Sequence, residues 1–165
     1  MNLYFASAFA YTHPMKHNSE NCRSNCPINF MLETFGDKWT LLVIRDLMFK
    51  GKRYYGEFLD SNEKISTNIL ADRLQRLELK GVIEKQVDPE NRSKFIYRLT
   101  AKGRDLLPLM LEITAWSSKH DDQTNTPAPF VAALKRDKAA LSQKILTDLD
   151  RQSSIGERSN RSVPS

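Results

Sequence analysis

Ser66, Thr67 and Asn68 open the stretch STNILADRLQRLEL, in which Leu70, Leu74 and Leu77 fall on one helical face. Small polar side chains at the exposed start of a helix can meet base edges in the major groove of DNA. Asn can pair with adenine, and Ser or Thr can contact either kind of base. A helix N-terminus also favours phosphate. Arg73 and Arg76 fall on a stripe expected to be solvated, from which they could reach the DNA backbone. Plainer roles stand beside these: Ser66 as an N-cap, and Arg73 and Arg76 as ion-pair partners of Asp72 or Glu78. Lys50, Lys52 and Arg53 form a basic turn, KGKRYY, placed to flank a duplex backbone. Arg92 and Lys94, in DPENRSK, suit phosphate or minor-groove contact, although Asp88 and Glu90 beside them dilute the charge.

A second chemistry belongs to sulfur. Cys26 stands directly before Pro27, at the expected N-cap of a helix, where the positive end of the helix dipole favours a thiolate. Cys22, four residues earlier, is a candidate resolving thiol. The alternative for Cys26 is a small packing residue. His13, His17, Cys22 and Cys26 invite a zinc reading, but close ligand pairs separated by a long loop are missing, so no metal is expected. The chain has no Gly-rich phosphate loop, no Gly-x-Ser-x-Gly and no His-Glu-x-x-His. No enzyme and no cofactor are therefore expected.

Positioning these residues takes several elements. Pro27 starts a short helix through Ile28, Met31, Leu32 and Phe35, closed by Gly36. Asp37 is placed to cap a second helix from Lys38 to Phe49, apolar on more than one side and so expected to be central. Tyr55 to Leu59 is a short helical piece, and residues 60–64 are a turn. The helix carrying Ser66 to Lys80 stops at Gly81. Val82 to Val87 and Ser93 to Leu99 read as two strands of a hairpin, with Phe95, Tyr97 and Leu99 alternating. Thr100 caps a long helix to His120 that Pro108 should bend. A linker over 124–129 leads to an amphipathic helix at 131–149. Helix, short helix, turn, helix, hairpin, long helix is the order of a winged helix-turn-helix, in which the second helix of the pair enters the major groove. The expected fold is thus mainly α with a small β-hairpin wing.

The chain has 165 residues, and 40% are hydrophobic, enough for one core. Its expected organisation is a flexible lead at 1–25, the winged helix-turn-helix domain at 26–120, a linker and extra helix at 121–150, and a disordered tail at 151–165. Met15 is an alternative start. The net charge of +5 suggests an anionic partner but is spread out, at +1 over 1–25, +3 over 26–120 and +1 over 121–165. No apolar run approaches the ~20 residues that span a bilayer. Two cysteines are too few for a disulfide scaffold, and a reducing cytoplasm fits them.

Four motifs in order resemble the HxlR-type winged-helix regulators: Cys26-Pro27; Gly36-Asp37-Lys38-Trp39 with Arg45-Asp46-Leu47; Ile65-Ser66 with Leu70-Ala71-Asp72-Arg73-Leu74-Gln75-Arg76-Leu77 and Gly81-Val82-Ile83; and Tyr97-Arg98-Leu99-Thr100-Ala101-Lys102-Gly103. The resemblance spans Cys26 to His120. It implies a cytoplasmic bacterial or archaeal transcription factor that binds double-stranded DNA as a homodimer built by its first and last helices. Some members sense oxidants or electrophiles through the Cys of the Cys-Pro motif. The chain departs from the family at Tyr55-Gly56-Glu57-Phe58-Leu59, where Phe-x-Glu-Leu is usual, and in the helix at 131–149. The competing function is a winged-helix protein-interaction module that does not touch DNA.

Overall fold

The computed structural model describes residues 24–160, with side chains as far as Gln152. The described residues fall into two units that divide between Gly36 and Asp37. In the first, α1 (Pro27–Phe35) begins on Pro27, with Cys26 as an N-cap in extended backbone. Proline costs no hydrogen bond there, because the first N–H groups of a helix have no intrahelical acceptor. Gly36 ends the helix by donating its N–H to the Leu32 carbonyl at 2.8 Å. Cys22, His13, His17 and nearly all of the expected lead lie outside the described residues.

In the second unit, α2 (Thr40–Phe49) buries Val43, Ile44, Leu47 and Met48, as its broad apolar surface requires. Asp37 supplies the cap, accepting from the N–H groups of Trp39 at 2.9 Å and Thr40 at 3.1 Å. The helices α3 (Tyr55–Leu59) and α4 (Thr67–Leu79) follow, within a residue of the expected bounds. Gly81 turns the chain with φ +66°, a conformation that favours glycine. The strands β1 (Ile83–Val87) and β2 (Phe95–Leu99) then pair antiparallel, Ile83 opposite Leu99.

Two expectations about burial and helix length are corrected. β2 does not alternate: Ile96, Tyr97, Arg98 and Leu99 are all buried, and Phe95 is exposed. The strand is flanked on both edges, by β1 and by the Arg53–Tyr54 segment, whose Arg53 carbonyl accepts the Tyr97 N–H at 2.9 Å. The single long helix after Thr100 is two, α5 (Ala101–Arg104) and α6 (Leu107–His120). Pro108 has no N–H for the Arg104 carbonyl and its ring crowds that oxygen, so the helix breaks rather than bends. Thr100 does cap α5, its Oγ1 accepting the Gly103 N–H at 3.2 Å. A Cβ on Gly103 would lie 2.2 Å from the Val82 carbonyl oxygen, so glycine lets α5 close on the chain entering β1.

The helix expected at 131–149 is also two, α7 (Ala128–Arg136) and α8 (Lys138–Asn160). Asp137 is extended at the break and accepts the Ala140 N–H at 2.9 Å, an N-cap that restarts the helix. α8 continues past Leu149 to Asn160, into the span read from its low apolar content as a disordered tail. No helix among the described residues is long and apolar enough to cross a membrane. No group of three or more potential metal-ligating side chains occurs among them.

Candidate nucleic-acid interface

Leu70, Leu74 and Leu77 are at most 2% exposed and seat α4 on the core. Its opposite side is open to solvent. Ser66, Thr67 and Asn68 are all exposed at its start. Ser66 is the N-cap, its Oγ accepting the Ile69 N–H at 3.5 Å, so its plainer role is real. Thr67 and Asn68 follow in the first turn, where side chains point outward. The tip is held from two sides. The Tyr55 hydroxyl donates to the Thr67 carbonyl at 2.6 Å. Arg45 forms a two-pronged pair with Glu63, with Nη2 to Oε2 at 2.9 Å, fixing the turn before α4 to α2. That hydrogen bond from Arg45 holds the Glu63 pKa down at about 2, despite some desolvation.

The basic candidates separate into two groups. Arg76 is more than half exposed, 3.9 Å from the Asp72 carboxylate, and lies on the solvated side as expected. Arg92 and Lys94 are exposed at the wing tip. Asp88, which dilutes the wing's charge on paper, is 5% exposed. Its carboxylate accepts from the Tyr54 hydroxyl at 3.0 Å and the Glu90 N–H at 2.9 Å, so it shapes the turn from inside.

Arg73, Lys52 and Arg53 do not lie where the sequence placed them. Arg73 is only 19% exposed and donates from Nε to Asp37 at 2.9 Å while also pairing with Asp72. It ties α4 to the cap of α2. Asp37 is pushed up by desolvation but held below the usual carboxylate range by hydrogen bonds from Thr40, Trp39 and Arg73. Lys52 turns inward, its Nζ 2.9 Å from Asp46 and 2.6 Å from the Ser61 hydroxyl. Asp46 is buried and also accepts from Ser61 and Arg45, which outweighs desolvation and lowers its pKa. Arg53 is half-buried; desolvation and its neighbours Arg98 and Arg104 lower its pKa against the pull of Glu57.

Two residues passed over in the sequence belong with the exposed set. Gln75 lies on the open side of α4, two turns beyond Asn68, and Gln can pair with adenine as Asn does. The spacing of seven from Asn68 is its signal. Lys64 is exposed beside the Ser66 cap with φ +51°, and its position just before the cap could have marked it. In the first unit, Cys26 is exposed, its sulfur is in no disulfide, and its side chain makes no cap hydrogen bond.

Residues 34–125 match the family described as HxlR-like helix-turn-helix. The chain is 37% identical over 106 residues to an uncharacterised HTH-type transcriptional regulator of Synechocystis, sll1512, covering 62% of this chain and 78% of that one. The crystal structure of PA1607 superposes with a TM-score of 0.55 at 37% identity, covering 64% of this chain and 72% of the other. The redox regulator HypR in its oxidised form superposes with a TM-score of 0.52 at 30% identity, covering 58% of this chain and 97% of the other.

Proposed function

Because the chain belongs to the HxlR-like helix-turn-helix family of winged-helix transcriptional regulators, whose members are not enzymes, we propose that it binds specific sequences of double-stranded DNA. The observation that carries this reading is the exposed tip Ser66-Thr67-Asn68 on a helix anchored by three buried leucines and followed by a hairpin. Thr67, Asn68 and Gln75 would read bases. Lys64, Arg76, Arg92 and Lys94 would hold phosphates. Arg73, Lys52 and Arg53 would act behind them by fixing the scaffold. The acting species would be a cytoplasmic homodimer on a palindromic operator. Residues 26–120 would form the DNA-binding domain.

The test is binding to duplex DNA across a salt series. If ~6 or more phosphates are neutralised, affinity should fall by orders of magnitude between about 50 and 200 mM salt. Asn68→Ala should relax preference at one operator position by about 1–3 kcal/mol. A flat salt profile would favour the protein-interaction alternative.

The proposal extends to a signal. HypR is a redox regulator, and Cys26 presents an exposed thiol at the start of α1. An oxidant or electrophile acting on Cys26 would be the effector, with Cys22 as a candidate disulfide partner.

A further inference from the structure

A half-enclosed cavity of about 630 Å³ lies between α2, α6, α7 and α8. Its roof comes from α7 and α8, both of which lie wholly beyond the matched family span that ends at residue 125. The walls are mainly apolar. Leu42 and Met110 line it from α2 and α6, and Phe130, Ile145 and Leu149 from the roof. Phe130 meets Phe49 edge-on, with ring centroids 5.7 Å apart, so aromatic surface faces the space. Protein interiors otherwise pack at the density of organic crystals, and a space of this size falls in the range of small-ligand pockets.

The roof is anchored. Leu134 and Leu149 are buried. Lys138 of α8 pairs with Glu112 of α6, and Asp150 pairs with Arg104 of α5. Two features define the chemistry of a guest. The charges on the lining are compensated: Arg45 is held by Glu63 and Asp46, Lys50 sits 3.4 Å from Asp46, and Asp148 is 3.6 Å from Arg151. Gln152 lines one edge, and its Oε1 is closed off from the space without a hydrogen-bond partner; a turn of its amide, a soft torsion, would present Oε1 to the cavity as an acceptor. A buried acceptor is costly to leave unmatched.

We propose that this cavity binds a neutral aromatic small molecule whose hydroxyl or amine donates to Gln152. The site does not depend on the DNA-binding reading.

The full-length protein is titrated with 2-naphthol and, separately, with naphthalene, which has the same rings and no donor. 2-Naphthol is expected to bind saturably, one per chain, and to shift the methyl resonances of Met48, Met110 and Ile145. Ile145→Trp, which fills the space, should weaken it roughly tenfold or more. Gln152→Leu should weaken 2-naphthol about fivefold, the size of one neutral hydrogen bond, and leave naphthalene unchanged. Absence of saturable binding, unchanged affinity in folded Ile145→Trp, or methyl shifts at Met31 instead would overturn the proposal. Should Ile145→Trp fail to fold, the wild-type methyl shifts decide the matter alone.

Discussion

Asp46 is 2% exposed, and it gathers Arg45, Lys52 and Ser61 onto one carboxylate. Asp37 does the same on a smaller scale for Arg73 and the first turn of α2. Each of these carboxylates draws a cation away from the open surface. For this reason Lys52, which reads as part of a DNA clamp in Lys50-Gly51-Lys52-Arg53, is turned inward as a brace. The polar tip of α4 was legible, because leucine spacing alone fixes which side faces out. The inward cations were not, because Asp46 and Lys52 find each other only after the chain turns between them. The two arginines of α4 separate these roles. Arg73→Ala should lower stability by about 1–3 kcal/mol, the cost of a lost charged hydrogen bond, seen as a lower thermal midpoint. Arg76→Ala should leave the midpoint unchanged and weaken binding to all DNA sequences. Glu63 adds a pH signature. Its folded pKa of about 2 lies below the ordinary carboxylate value of 4.5. The unfolded chain therefore binds more protons in that interval, and stability rises with pH across it. The contribution is complete above about pH 4.5 and is lost as pH falls toward 2. Denaturant unfolding of Glu63→Gln should show a shallower acid slope than wild type over that window.

At the scale of elements, the strong periodic signals located the helices and the turn chemistry located most of their ends. Ser66, Gly81 and Thr100 all stop or start a helix where expected. The failures share a cause. Pro108 and Asp137 sit inside continuous apolar patterns, and periodicity runs through them, whereas the backbone does not. Proline removes a donor at Arg104, and Asp137 spends its side chain as a new cap. β2 failed differently, since consecutive residues on opposite faces are buried only where both faces are covered, and α2, α3 and α5 all pack on this strand. Two glycines show how position decides a glycine's value. A Cβ at Gly103 would strike the Val82 carbonyl, whereas one at Gly56 would meet nothing within 4 Å. Gly103→Ala should therefore destabilise by about 1–3 kcal/mol or more through overpacking between α5 and β1. Gly56→Ala, within α3, should stabilise by about 0.5–1 kcal/mol by lowering the entropy lost on folding. Chemical denaturation of the two variants should move the midpoint in opposite directions.

At the scale of the whole molecule, exposed apolar surface points outward from both units. α1 carries Ile28 at 69% exposure and Leu32 at 58%, and α6 carries Trp116 at 66%. Large apolar side chains clustered on a helix face mark an interaction surface. The dimer proposed above would cover them with a second copy, and the two-fold axis would set half-sites about one helical turn apart. Sedimentation should show a dimer at micromolar concentration, and Trp116→Glu should shift it toward monomer by burying an unpaired charge at the seam. This geometry gives Cys26 its leverage. Its residue caps α1, with its carbonyl accepting the Phe30 N–H at 3.0 Å. Oxidation that joins two Cys thiols removes two protons and two electrons, which the peroxide or quinone accepts. A disulfide to Cys22, within or between subunits, would pull on the start of α1. If α1 sets the spacing of two recognition helices, small movement there is felt at both half-sites, since each must be engaged for tight binding. Operator affinity should therefore change after mild peroxide or quinone treatment of the wild type, and Cys26→Ser should not respond. Equal affinity before and after treatment, with the thiols shown to have reacted, would make Cys26 a capping residue and separate it from control of the operator.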